Sequence, residues 1–163
     1  MEDKTPCNED FVKTGIEGLI FIPRKIIRDN RGAVFHMLRS DSSFFNKEFG
    51  EVYFSTVKPG VSKGWKRHLK MIQRYVVPIG SVKFVFFDSR QDSSSRGRIE
   101  EIELGEENYG LLIVPNLITY SFKCESIKES LIVNCASIPH TPGEGLTIDP
   151  SEVPYEWSDE LQH

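Results

Sequence analysis

The sequence predicts an all-β fold of the jelly-roll or barrel type with little helix. About ten short runs rich in β-branched and aromatic residues follow one another, with Gly, Pro, Asn, Asp or Ser between them. Almost no segment has the spacing of apolar residues that a helix requires, and the chain shows no internal repeat or heptad pattern. Many short strands separated by turn residues are typical of jelly rolls and barrels.

The predicted strands follow in order along the chain. Residues 18–27 form the first strand-like run, in which Pro23 indicates an edge position or a bulge. Turn residues at 29–32 precede a second strand over residues 33–39, and residues 42–49 fit one short set of helical turns. The later strands are predicted over residues 51–58, 98–104, 109–115, 118–124 and 129–136, with two or three more within residues 62–90.

The chain of 163 residues fits one domain, which we expect over residues 16–163 after a polar, flexible tail over residues 1–15. Its net charge of −4 gives no polybasic surface for a nucleic acid or a membrane surface. No run approaches the roughly 20 apolar residues of a membrane span. Residues 58–74 nevertheless carry several Lys and Arg and no acidic residue. This segment therefore suits an anionic small-molecule ligand.

The cysteine content indicates a reducing compartment. The chain has an odd number of cysteines, Cys7, Cys124 and Cys135, and none of them form a CxxC motif. No apolar signal segment opens the chain. We expect free thiols and a cytoplasmic protein.

The central stretch over residues 62–90 carries the strongest functional signal. On a strand, Lys66, His68 and Lys70 share one face, opposite Trp65. Two interpretations are open: a solvated edge strand protected by lysines, or a row of cationic groups facing a barrel interior. In the second case, a lysine beside a histidine suits removal of a proton next to a carbonyl group and stabilisation of the enolate.

Other chemistries have less support. Neither GxSxG, nor a P-loop, nor GxGxxG after a strand is present. Lys66 stands two residues before His68, where a second metal-ligating histidine would lie, and a protonated ammonium cannot bind a metal. We expect neither a metal nor a cofactor.

Four segments resemble, in the same order, the motifs of a known family. Residues 29–35 (DNRGAVF) are similar to its Asp-x-Arg-Gly-x-Phe motif, and residues 63–66 (KGWK) to its Arg-Gly-Leu-His strand. Residues 80–90 and 114–122 resemble two further motifs. The family is that of the dTDP-4-dehydrorhamnose 3,5-epimerases and their cupin relatives, which act on nucleotide-linked keto-sugars. The resemblance implies a cupin-type jelly-roll β-barrel, a homodimer and no metal.

The resemblance also implies positions for site residues. Lys66 falls at the family's catalytic His, and His68 lies two residues further on the same face. The family's catalytic Tyr, on the strand over residues 129–136, is replaced by Ile132 or Asn134. This chain differs from the family at further positions. It has His36 where the family has a Glu, Tyr53 and Ser55 where the family has a substrate-binding Gln and Asn, and Tyr120 where the family has a His inside the barrel. The acidic residue that orients the family's His comes from a C-terminal segment, and we assign no counterpart to it here.

The first hypothesis is an epimerase for a nucleotide-diphosphate-linked 4-keto-6-deoxy sugar in surface-polysaccharide biosynthesis. His68 is the expected base and Lys66 the enolate stabiliser, or these roles are exchanged, and Tyr53 or Tyr120 is the acid. The expected substrate-binding residues are Arg31 and Lys63 for the diphosphate, with His36, Ser55 and Asn134.

Two alternatives stay open. Residues 63–68 resemble the Arg-Gly-x-His-x-His motif of the related sugar 3,4-ketoisomerases, with the first His replaced. A non-catalytic sugar-nucleotide binding protein that lost the family's catalytic His and Tyr is the other alternative.

Overall fold

The computed structural model describes residues 9–158, which form thirteen strands and one short 3-10 helix. The strands are β1 (Val12–Lys13), β2 (Ile20–Pro23), β3 (Ile26–Asp29), β4 (Gly32–Phe35), β5 (Glu51–Val57), β6 (Ser62–His68), β7 (Gln73–Ile79), β8 (Ser81–Phe87), β9 (Ile99–Gly105), β10 (Gly110–Val114), β11 (Thr119–Cys124), β12 (Ser130–Ala136) and β13 (Gly145–Thr147).

Two antiparallel sheets and one hairpin make up the architecture. The six-stranded sheet has the order β1-β2-β10-β7-β12-β5, and the five-stranded sheet has the order β13-β6-β11-β8-β9. Strands β3 and β4 form a separate hairpin. The sheets are not closed onto each other, and their facing sides enclose the main apolar core. The predicted all-β jelly roll with little helix is confirmed.

Side-chain alternation explains why β7 and its neighbours are buried on both faces. Tyr75 and Val77 point into the main core, whereas Val76 belongs to a second apolar cluster on the outer face of the six-stranded sheet. Phe35 and Phe44, which precede β5, cover this outer face. A strand covered on both sides reads as a continuous apolar run, as residues 75–77 do.

The C-terminal segment covers the other outer face. Trp65 on β6 packs with Ile148 and Val153, and its ring centroid lies 6.0 Å from that of Tyr155. The short helix Pro150–Glu152 is capped by an aspartate in this segment. The irregular region that follows β12 is therefore part of the fold, and its strand β13 pairs with β6.

One local expectation holds and one is wrong. Pro23 pairs with Gly110 of β10, while on the other side of β2 the short strand β1 pairs only with Ile20 and Phe21, which agrees with the edge position suggested for Pro23. Residues 42–49 form turns and an isolated bridge without the expected helical turns. Within the predicted tail, Val12–Lys13 pair with β2, and residues 1–8 lie outside the described part of the chain.

Within residues 9–158, no helix is long and apolar enough to cross a membrane. Cys124 and Cys135 are buried free thiols, as expected, and Cys7 lies outside the described residues.

The loop between β8 and β9 is organised by a buried carboxylate. Asp88 accepts hydrogen bonds from the guanidinium of Arg90 at 2.8 and 2.9 Å and from the hydroxyls of Ser93 and Ser95 at 2.6 Å each. Burial alone raises the pKa of Asp88, but these hydrogen bonds outweigh it and hold the pKa well below its ordinary value. The loop therefore has one defined conformation although its sequence is rich in serine.

We expect Asp88→Asn to lower the free energy of unfolding by about 2 kcal/mol at neutral pH, because it removes charge-assisted hydrogen bonds. A carboxyl whose pKa is depressed by folding stabilises the fold above its unfolded pKa and loses that contribution as pH falls. The difference from wild type should therefore narrow below about pH 4. Urea unfolding measures it, with Asp92→Asn, an exposed carboxyl in the same loop, as the control. Equal losses of unfolding free energy in Asp88→Asn and Asp92→Asn would contradict the stabilising role given to the Asp88 carboxylate.

Candidate active site

A cleft opens between the two sheets at the inner faces of β5, β6 and β11. It consists of an outer cavity of about 450 Å³ and a deeper one of about 170 Å³, which share Tyr53, Lys66 and Tyr120 in their walls. One wall belongs to the five-stranded sheet, through β6 and β11, and the other to the six-stranded sheet, through β5. Segment 140–147 borders the outer cavity.

The cationic row of β6 faces this cleft. Lys66 and His68 both line the outer cavity, and Trp65 is buried on the opposite side of the sheet. Because β6 lies between β13 and β11, the interpretation as an edge strand is wrong. Lys70 comes after the end of β6 and is exposed.

Glu144 holds His68 in position. Its Oε2 lies 2.5 Å from Nδ1 of His68, and its Oε1 accepts the backbone N–H groups of Lys70 and Met71 at 2.8 Å each. The side chains of His68 and Glu144 are only 14% and 8% exposed. Burial opposes the charge on Glu144, but the three hydrogen bonds outweigh it and lower its pKa to about 2. A carboxylate at Nδ1 directs the proton to that nitrogen and leaves Nε2 free to act as a base.

Sequence reasoning missed Glu144. The residue stands between two glycines, Gly143 and Gly145, in a region with no strand periodicity. The available signal was an acidic residue in a glycine turn after the last predicted strand. Gly145 permits the close approach, because a Cβ there would lie 3.3 Å from the imidazole of His68.

Tyr120 forms the floor of the cleft and joins a buried polar network. Its hydroxyl lies 3.1 Å from the hydroxyl of Tyr75 and exchanges hydrogen bonds of 3.0 and 3.1 Å with the amide of Gln73. Burial raises the pKa of Tyr120 to about 12. Its ring is stacked near that of His68, with centroids 6.2 Å apart and an interplanar angle of 16°.

Tyr53 and Asn134 meet across two strands. Antiparallel pairing of β5 with β12 sets them directly opposite each other, and the amide of Asn134 donates to the hydroxyl of Tyr53 at 2.8 Å. Asn134 is fully buried, and its Oδ1 accepts the backbone N–H of Arg74 at 3.0 Å. Ser55 and Ile132 are the next inward pair and line the deeper cavity.

The other predicted residues are divided between two places. Lys63 lines the deeper cavity, where its ammonium donates to the carbonyl of Thr56 at 2.6 Å. Arg31 lies on the β3–β4 hairpin with its side chain 85% exposed and paired with Asp29. His36 follows the same hairpin and is exposed. Neither Arg31 nor His36 lines the cleft of its own chain.

Within residues 9–158, no group of three or more His, Cys, Asp or Glu side chains is arranged to hold a metal ion. What the cleft assembles is an oriented imidazole, an ammonium group and two tyrosine rings. These groups suit proton transfer at a carbon next to a carbonyl group.

The known proteins similar to this chain include sugar epimerases. The family model described as dTDP-4-dehydrorhamnose 3,5-epimerase matches residues 13–162. A probable low-salt glycan biosynthesis epimerase of Haloferax volcanii is 31% identical over 107 residues, covering 65% of this chain and 69% of the relative. The spore coat polysaccharide biosynthesis protein SpsL of Bacillus subtilis is 26% identical over 132 residues, covering 81% of this chain and 83% of the relative.

A solved structure described as a dTDP sugar isomerase from Desulfovibrio desulfuricans G20 has a similar fold. It superposes with a TM-score of 0.86 at 38% identity, covering 90% of this chain and 94% of its own. The expected cupin-type jelly roll is thereby confirmed.

We expect Glu144→Gln to lower the free energy of unfolding by about 2–3 kcal/mol at neutral pH, because the amide loses a charge-assisted contact with His68. Folding depresses the pKa of Glu144 from 4.5 to about 2. Its contribution to the free energy of unfolding is therefore present above pH 4.5 and is lost as the pH falls from 4.5 to about 2. Chemical unfolding along a pH series measures the change, and exposed Glu107→Gln is the matched control. A Glu144→Gln effect that stays constant from pH 7 to about pH 2 would contradict this account.

Proposed function

Since the chain belongs to the dTDP-4-dehydrorhamnose 3,5-epimerase family, we propose that it epimerises a nucleotide-diphosphate-linked 4-keto-6-deoxy sugar. The observation that carries the proposal is the His68–Glu144 pair, which faces a cleft that also contains Lys66. The curated relatives are described as acting in glycan and polysaccharide biosynthesis, which supports a role in making a sugar for a surface polysaccharide.

The first step is removal of the proton from a carbon next to the keto group. His68 is the proposed base, since its Nδ1 contacts Glu144 and its Nε2 remains to accept the proton. Glu144 then also stabilises the imidazolium that forms. General-base catalysis of this type contributes about 10²–10⁴-fold to a rate.

The electron pair of the broken C–H bond moves onto the keto oxygen and forms an enolate. Lys66 lies on the same inner face of β6 as His68 and is the proposed partner of this negative oxygen. A positive group acts more strongly on a ligand in a cleft from which water is excluded than in bulk water. Return of a proton to the opposite face of the carbon, from a tyrosine hydroxyl, completes the inversion and leaves the keto group unchanged.

The proposed contacts with the substrate follow the lining of the cleft. Lys63 and Ser55 border the deeper cavity, where an ammonium group and a hydroxyl suit phosphate or sugar oxygens. We also propose that Arg31 and His36 contact the substrate. Both are exposed on or beside the hairpin, where a ligand can reach them.

One observation favours a second candidate function, a sugar-nucleotide binding protein without epimerase activity. Ile132 lines the deeper cavity on β12, where the family resemblance implies a catalytic Tyr, and an aliphatic side chain transfers no proton. Binding of keto-sugar nucleotides without exchange of any sugar proton would favour this function. Exchange followed by transfer of the keto group between C4 and C3 would favour a ketoisomerase.

We expect the protein to form a homodimer. Among the described strands, β5 is an edge strand of the six-stranded sheet, and its outward Val52 and Phe54 are 45% and 68% exposed. Exposed edges with apolar side chains favour pairing with another chain. Light scattering at micromolar concentration should give twice the 18.7 kDa mass of one chain, 37.4 kDa. A mass of one chain under these conditions would exclude the dimer.

We expect His68→Asn to abolish proton exchange, with a loss of about 10²–10⁴-fold, because the base is removed. Incubation with a panel of 4-keto-6-deoxy sugar nucleotides in deuterated water, followed by NMR, measures deuterium at the carbons next to the keto group. Lys70→Gln is the control, since Lys70 follows the same strand outside the cleft lining. Wild-type exchange that survives His68→Asn unchanged would rule out His68 as the base.

A further inference from the structure

We propose that Tyr53 is the residue that returns the proton to the substrate, and that Tyr120 and Tyr75 hold the floor of the cleft without transferring protons to the sugar. The inference rests on the proposed epimerase function and assigns its second proton-transfer group. Three observations carry it: the wall on which each hydroxyl lies, its exposure, and its hydrogen-bond partners.

The first observation is the position of each tyrosine relative to the base. His68 on β6 and Tyr120 on the adjacent β11 belong to the same sheet, and their rings are stacked 6.2 Å apart. Tyr53 is on β5, which belongs to the opposite sheet and forms the facing wall of the cleft. Inversion requires that the proton leave from one face of the carbon and return to the other. A donor on the facing wall satisfies this requirement, whereas a donor beside the base returns the proton to the face that lost it.

The second observation is exposure. Tyr53 is 38% exposed and lines both cavities, so its hydroxyl has access to a bound ligand and to water. Tyr120 and Tyr75 are each 3% exposed. A group that gives up one proton in each turnover has to regain one from solvent or from the protonated base. Tyr120 and Tyr75 also form part of the cavity walls, but they are almost fully enclosed, whereas the more exposed Tyr53 regains a proton without any opening of the core.

The third observation concerns hydrogen-bond partners. The hydroxyl of Tyr120 is occupied by Gln73, which donates to it and accepts from it, and by Tyr75. Burial raises the pKa of Tyr120 to about 12 and that of Tyr75 well above its ordinary value, which disfavours loss of either proton. The hydroxyl of Tyr53 also interacts with that of Tyr75, but its oxygen accepts the N–H of Asn134 at 2.8 Å, which leaves its own proton to point into the cleft.

Asn134 is accordingly a positioning residue. Its amide is fully buried, and its Oδ1 is bound to the backbone N–H of Arg74, so the orientation of its NH₂ group is fixed toward Tyr53. An N–H donor at the phenol oxygen stabilises the negative charge that develops as the proton leaves. This contact accounts for a buried, hydrogen-bonded asparagine directly opposite Tyr53 on the neighbouring strand.

The proton balance is closed. Nε2 of His68 takes the proton from the carbon, and the C–H electron pair forms the enolate. The enolate carbon then takes the proton of the Tyr53 hydroxyl, which becomes a phenolate. The imidazolium of His68 then gives up its proton, directly or through water, and the phenolate of Tyr53 gains one, so that both groups are regenerated.

The test separates exchange from inversion. A panel of 4-keto-6-deoxy sugar nucleotides in deuterated water is followed by NMR for deuterium content and for configuration at the carbons next to the keto group. Tyr53→Phe should retain exchange, because His68 still removes a proton and returns deuterium to the same face. Inversion should fall by about 10²–10⁴-fold.

Two further variants make the result specific. Tyr109→Phe is the matched control, since it also removes one phenol oxygen but lies in the second apolar cluster outside the cleft lining, and it should keep the wild-type ratio of inversion to exchange. Tyr120→Phe removes the competing hydroxyl and should change both rates together through the packing of His68. Asn134→Leu, which keeps a side chain of similar size without the donor, should lower inversion more than exchange.

The outcomes are distinct. Full inversion by Tyr53→Phe, or selective loss of inversion in Tyr120→Phe, overturns the assignment while leaving the epimerase function intact. Absence of exchange in the wild-type protein with every substrate overturns the proposed function, and this assignment with it.

Discussion

The carboxylate of Glu144 joins parts of the molecule that are distant in sequence. One of its oxygens accepts the N–H groups of Lys70 and Met71, where the chain leaves β6, and the other contacts the imidazole of His68. A nearly buried carboxylate is stable as an anion only when its oxygens are satisfied. The contacts that satisfy it also attach the C-terminal segment across β6 and orient the candidate base. The conformation of the segment and the tautomer of the histidine thus depend on the same buried charge.

The cleft is built directly on the apolar core, and tyrosines form the transition between them. The ring of Tyr75 packs 5.3 Å from that of Phe84, and the ring of Tyr120 packs 6.3 Å from that of Phe86. Above these rings the hydroxyl of Tyr75 donates to that of Tyr120, which also exchanges hydrogen bonds with Gln73. An amphipathic ring suits this position because its body replaces apolar core volume while its oxygen finds a polar partner. The result is a rigid polar floor with dry packing beneath it.

The sequence predicted the features that depend on local pattern. Alternation along β6 was sufficient to assign Lys66 and His68 to one face, and the succession of short apolar runs was sufficient for the fold class. The pairing of Tyr53 with Asn134 was not predictable, because the register of strands far apart in sequence is set by the whole sheet. Glu144 lies in a glycine turn, where strand periodicity gives no information.

The two walls of the cleft belong to different sheets, which are held at their separation by the side chains packed between them. Core residues such as Val77 and Phe84, which are fully buried between the sheets, therefore help to determine how far His68 stands from Tyr53. Close-packed interiors change dimension only in discrete steps of side-chain volume. The width of a ligand that fits between the walls consequently depends on the hydrophobic core as well as on the residues that line the cleft. A relative with the same lining but a different core volume would therefore have a cleft of different width.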